Sequence, residues 1–182
     1  MDRDKLIDLI TVQNLVLLIL CFGWLWLFPN PNLWAQIRIG PELWLALPAA
    51  ALLLTAGALG IRWIPALRNA QLYLDRELFR HLRPRDLVQV GLLAGVAEEL
   101  CFRGLLQSAW GLIPASLCFG LLHLPGFQHW AYAVWATLMG LCLGLIYLYF
   151  DNLLLVMLIH AGNNSLALLL WPKLRSGFET QS

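Results

Sequence analysis

Several side chains that do chemistry stand inside apolar runs of this sequence: Glu98, Glu99 and Arg103 in "GVAEELCFRG", His123 at the end of "SLCFGLLH", and His160 and Asn164 in "LIHAGNNS". A charged group near the centre of a bilayer costs a few kcal/mol on insertion scales, so such residues are candidates for function. Glu99 and Arg103 lie four apart with the acid first, the order in which one neutralises the other on a helix face. Glu98 is turned about 100° from Glu99 and is the acid left free for work. Phe119 shares a face with His123, where its ring can orient the imidazole, and His160 shares one with Asn164. A carboxylate, two imidazoles and an amide around a wet pocket suit hydrolysis: the acid takes a proton from water and the donors hold an oxyanion. Glu98, His123 and His160 also form a two-His, one-carboxylate set able to hold a divalent metal such as zinc with a position open for water. The spacing leaves both routes open; water activated without a metal is the reading preferred here.

The competing reading is packing: an ion pair with a spare acid fixing helix register, and His and Asn as glue between helices. Depth argues against it. The chain has 182 residues, 60% hydrophobic and 13% charged, with mean hydropathy +0.70. That composition is of a polytopic membrane protein. About 20 apolar residues span a bilayer, and apolar stretches at 10–28, 43–64, 87–110, 113–124, 130–150 and 153–171 predict an all-α bundle of about six transmembrane helices. At 1.5 Å per residue, Glu98 lies about 17 Å from the start of its stretch, His123 about 15 Å and His160 about 12 Å past Asn152. Helices running in alternating directions thus carry all three to similar depth.

The fourth stretch is short, rising only about 18 Å, so "HLPGFQH" must complete that crossing as irregular chain. Such backbone survives at depth only beside protein or a water-filled cavity, which predicts a cavity next to His123.

The arginines at positions 62, 68, 76, 80, 83 and 85 cluster at the second joint. The positive-inside rule puts that joint in the cytoplasm, and six crossings then make both termini cytoplasmic. Within it Ala70, Leu74, Leu78 and Leu82 recur every fourth residue, with Asp75 and the arginines largely elsewhere. This is an amphipathic helix, lying on the membrane surface or packed as a linker on the bundle. The chain divides into residues 1–86 (two helices and the basic joint), 87–171 (the helical core with the reactive residues) and 172–182 (a cytoplasmic tail). The first apolar run reads as a retained helix and not a signal peptide, since Asp2, Asp4 and Asp8 make its flank mixed and no small-x-small site follows.

Gly91 with Gly95, and Gly140 with Gly144, are spaced to let helices approach closely. Cys21, Cys101, Cys118 and Cys142 form no CxxC pair and read as small core residues without a disulfide framework. His81, His129 and many tryptophans belong to the membrane surfaces. A net charge of +1 without a basic tail gives no case for nucleic acid; the partners expected are membrane lipid and a polypeptide substrate. Serine, zinc and aspartyl intramembrane protease patterns are missing: there is no GxSxG, no HExxH and no pair of buried aspartates. A carrier function, the other use of buried carboxylates, lacks the internal repeat it would favour.

With three motifs in order, EExxxR at Glu98 to Arg103, FxxxH at Phe119 to His123 and HxxxN at His160 to Asn164, the sequence resembles the CPBP intramembrane proteases. That family includes CAAX prenyl endopeptidases and bacteriocin-processing or immunity proteins. The resemblance covers about residues 87–171. It implies that Glu98 and His123 position and deprotonate the attacking water and that His160 and Asn164 stabilise the oxyanion. Glu99, Arg103 and Phe119 would support the site, with Arg103 alternatively receiving a substrate carboxylate. The implied activity is endoproteolysis of a prenylated, leader-type or other membrane-associated peptide; the alternative is a non-catalytic binding or immunity protein on the same fold. The family is commonly classed as metalloproteases, and a metal-free, Glu-activated water has also been argued for it.

Overall fold

The computed structural model describes residues 2–179. The chain is all-α, as the hydropathy predicts, with no strand among the described residues. Helix α1 is Arg3–Leu27, and short turns at Trp34–Gln36 and Pro41–Leu45 lead into α2, Ala46–Trp63. Helix α3, Pro65–Leu74, runs on through a wide π-helical turn at Asp75–Phe79. Helix α4, Pro84–Glu99, continues through a longer π-helical segment, Leu100–Gln107, to a last turn at Ser108–Trp110. Helices α5 (Leu112–Leu122), α6 (Trp130–Phe150) and α7 (Leu153–Glu179) complete the bundle.

Four segments are long and apolar enough to cross a membrane: Arg3–Leu27, Pro41–Trp63, Phe127–Phe150 and Leu153–Ser176. Helix α4 with its extension carries acids and an arginine at its middle, and α5 is short. These two elements carry the site on their inner faces, while Leu92 and Val96 of α4 and Ile113, Leu117, Leu121 and Leu122 of α5 are exposed on their outer faces. After α5 the chain leaves helical geometry at His123 and reaches α6 through the Phe127–His129 turn, so "HLPGFQH" is largely irregular chain.

Boundaries follow local chemistry. Pro65 and Pro84 open α3 and α4 in the first turn, where a missing N–H breaks no hydrogen bond. Gly111, at φ 86°, makes the reversal between α4 and α5. Asp151 closes α6 in the left-handed region, φ 46°. Asn152, fully buried, accepts the Leu155 N–H at 3.3 Å and so caps α7.

The ends of the bundle are tied by polar contacts on two opposite faces. On one, Arg3 pairs with Asp86 at 2.7 Å, Arg175 with Asp75 at 2.7 Å, and the Arg68 guanidinium lies 4.9 Å from the Phe178 ring centre. The start of α1, α3, the start of α4 and the end of α7 thus share one face. On the other, Gln36 donates to Asp151 at 2.8 Å, Tyr147 to Gln36 at 2.7 Å and Asn152 to Glu42 at 2.6 Å. Exposed tryptophans, Trp26 and Trp63 among them, sit toward the ends of these helices, as an interfacial belt requires.

Of the two readings of the amphipathic joint, packing on the bundle is the one observed, with Leu67, Ala70, Leu74 and Leu82 buried; other sequence expectations change. Asp75, grouped with the solvated face by its spacing, is 2% exposed and bridges Arg80 and Arg175. Cys21 and Cys101 are paired as a disulfide between α1 and the π-helical segment, with their Cα atoms 5.6 Å apart. They are 80 residues apart in sequence, so only the docking of α1 on α4 reveals the pair. Helix α7 also continues past Trp171 through Pro172 into the expected tail; residues 180–182 of that tail lie outside the described residues.

Candidate active site

The site begins with two helices that touch backbone to backbone. A Cβ on Gly95 would stand 2.5 Å from the Ala161 nitrogen, and one on Gly91 would stand 2.7 Å from the Ser165 nitrogen. Glycines four apart let α4 lie directly on α7. One turn beyond that crossing, Glu99 Oε1 meets His160 Nδ1 at 2.6 Å.

The same oxygen accepts Arg103 Nη1 at 2.8 Å. Arg103 also donates to the Gly140 carbonyl at 3.1 Å and lies 4.7 Å from the Phe119 ring centre. With Glu99 at 0% and Arg103 at 1% exposure, this pair is sealed from the cavity and braces the site. Gln107, one turn on from Arg103, donates to the Gly144 carbonyl at 2.9 Å. The second glycine pair therefore has a purpose the spacing does not disclose: it bares two carbonyls of α6 for side chains of the π-helical segment. π-Helical turns recur at functional sites because they rotate following side chains relative to a regular helix.

Glu98 is the other kind of acid. Its side chain is 16% exposed, and Oε2 has no hydrogen-bond partner. His123 Nε2 lies 3.6 Å from that oxygen and His160 Nε2 lies 3.8 Å from it. The far nitrogens explain why both rings face Glu98 this way. His123 Nδ1 is 2.8 Å from the Phe119 carbonyl; a carbonyl only accepts, so Nδ1 carries the proton and Nε2 faces the acid. Phe119 additionally packs its ring 4.4 Å from His123 and 5.8 Å from His160.

A cavity of ≈ 140 Å³ opens beside these rings, room for several waters. Phe119, His123, His160 and Asn164 line it from one side, and Leu53, Gly57 and Ile61 of α2 from the other. This is the cavity expected next to His123. Asn164 accepts from Asn163 Nδ2 at 3.3 Å, which turns its own NH₂ away from that contact.

All seven residues singled out in the sequence, Glu98, Glu99, Arg103, Phe119, His123, His160 and Asn164, thus belong to one assembly. Sequence reasoning missed Asn163 and Gln107, each adjacent to or one turn from a motif residue. It also missed Tyr132, Trp135 and Gln71, which line the cavity from α6 and α3.

The donors Glu98, His123 and His160 have the chemistry of a two-His, one-carboxylate metal set. As arranged, no group of three or more His, Cys, Asp or Glu among the described residues is placed to hold a metal ion. The carboxylate and the two imidazole edges approach to 3.6 and 3.8 Å, and both imidazoles line the cavity.

The fold and site define a multi-pass helical membrane protein with a buried glutamate–histidine centre opening on an internal cavity. The family described as "Type II CAAX prenyl endopeptidase Rce1-like" matches residues 83–166, the span that holds every residue of this centre. A Bacillus subtilis (strain 168) protein named "Uncharacterized protein YpbD" is 30% identical over 129 residues, covering 71% of this chain and 68% of that protein. The chain belongs to the Rce1-like family of CAAX-type intramembrane proteases. No solved structure matches it.

Proposed function

We propose that this protein is an intramembrane endopeptidase that hydrolyses a peptide bond of a membrane-associated polypeptide with water activated by Glu98 and His123. The observation that carries the reading is the division of the two acids. Glu99 is bonded through Oε1 to Arg103 and His160, while Glu98 Oε2 has no hydrogen-bond partner and lies 3.6 and 3.8 Å from the two imidazoles that line the cavity.

A water held by Glu98 and His123 from the cavity side gives a proton to the carboxylate as its oxygen attacks the carbonyl carbon. The resulting oxyanion accepts hydrogen bonds from the His160 edge and the Asn164 NH₂. Glu99 holds the far nitrogen of the His160 ring and so fixes the edge that meets the oxyanion. The proton on Glu98 then passes to the leaving nitrogen as the C–N bond breaks. The apolar wall of Leu53, Leu54, Ile61 and Leu67 suits an apolar substrate side chain. By the positive-inside rule, the face bearing Arg3, Arg68 and Arg175 is cytoplasmic, with both termini on it.

The test compares the peptides released in membranes carrying the native chain with those carrying Glu98→Gln. A general base contributes about 10²–10⁴-fold, so the variant, folded and inserted normally, should lose cleavage by at least that factor. Undiminished turnover would refute the assignment.

A further inference from the structure

The chain has four tyrosines, and three have a role visible in the packing. Tyr73 stacks on His129 with ring centres 4.3 Å apart, Tyr147 donates to Gln36 at 2.7 Å, and Tyr149 is 82% exposed at the bundle surface. Tyr132 is different. It stands in the first turn of α6 and lines the cavity together with His123, His160 and Asn164. Its ring centre is 6.3 Å from that of His123. Its hydroxyl has no hydrogen-bond partner among the described residues. Tyrosine hydroxyls inside a protein usually have a partner; this half-buried residue lines the cavity with its donor unused by any described group.

Hydrolysis at this site needs donors for an oxygen that is neutral in the substrate and charged in the tetrahedral intermediate. An O–H donating to an anionic oxygen makes a shorter and stronger bond than to a carbonyl, so it favours the intermediate over the bound substrate. His160 and Asn164 approach the cavity from α7, and Tyr132 approaches it from α6. An oxyanion between the two helices can be met from both sides. We infer that Tyr132 is a further catalytic residue, whose phenolic O–H donates a hydrogen bond to the oxyanion of the tetrahedral intermediate. This rests on the hydrolase reading above. The phenol keeps its proton throughout: the water oxygen forms the new C–O bond, its proton travels to Glu98 and from there to the leaving nitrogen, and the C–N bond breaks.

The experiment uses the full chain in lipid vesicles with a peptide that the native chain cleaves there. Tyr132→Phe keeps the ring and removes only the hydroxyl, so packing is preserved and thermal unfolding should match the native chain. Removing one oxyanion donor lowers kcat by about 10²–10³-fold; a loss of about 10²-fold with KM within about twofold is expected. A peptide carrying a tetrahedral phosphinate at the scissile position should lose affinity by a similar factor, while the product peptide binds unchanged. If Glu98→Gln is inert and Tyr132→Phe turns over at the native rate, or loses only KM, the role of Tyr132 falls and the hydrolase reading stands. If Glu98→Gln turns over normally, both fall.

Discussion

Arg103 holds three groups at once: the Glu99 carboxylate, the Gly140 carbonyl and the face of the Phe119 ring. Removing it leaves Glu99, fully buried, with His160 as its remaining partner. Breaking one side of a buried pair costs about 3–5 kcal/mol, on the order of 10 °C in a chain of this size. Arg103→Met should therefore lower the unfolding temperature in detergent by that amount, and adding Glu99→Gln should recover part of the loss. Recovery of stability would not recover catalysis, because His160 would lose its carboxylate. The Glu98 centre makes a second prediction at this scale. Purified protein stripped with a chelator should keep its turnover; stoichiometric zinc lost together with activity would overturn the metal-free reading.

Between helices, the decisive contact is the crossing of α4 on α7. At Gly95 an added methyl would meet Ala161 backbone at 2.5 Å, and backbone cannot yield as a side-chain tip can. Overpacking of this kind costs about 1–3 kcal/mol. Gly95→Ala should lower stability by that range and lower kcat further than stability explains, since pushing α7 away parts His160 from Glu99. Gly23 on α1 has nothing within 4 Å of the same added methyl, so Gly23→Ala should cost nothing and gain up to about 1 kcal/mol of helix propensity. The glycine spacings were legible in the sequence as close-packing signals. Their partners were not: that Gly140 and Gly144 expose carbonyls to Arg103 and Gln107 depends on the π-helical turn between Leu100 and Gln107. A regular 3.6-residue periodicity would aim those side chains elsewhere.

At the scale of the whole molecule, the start of α1 is fastened to the start of α4. Arg3 donates to both carboxylate oxygens of Asp86, at 2.7 and 2.8 Å, just ahead of the span that carries the acids. That bond holds the Asp86 carboxyl down from 3.8 to about 2. A depressed acid contributes stability that is full above its unfolded value and is lost as pH falls toward the folded one. Thermal stability should therefore drop between about pH 4 and about pH 2, and Arg3→Ala should shrink that part of the drop. Reporter fusions at either terminus should register the cytoplasmic side; opposite sides for the two ends would contradict the six-crossing arrangement. Composition and hydropathy determined the all-α membrane class, and the rise per residue determined that Glu98, His123 and His160 share a depth, because both depend on distances along single helices. The irregular chain after α5 and its cavity were legible for the same reason. Angles around each helix and the choice of neighbours were decided only in the tertiary structure. The π-helical turns shift side-chain phase, and packing brings together residues such as Cys21 with Cys101 and Asp75 with Arg175. Tyr132 joins the site the same way, from a helix on which nothing but its position against α7 marks it out.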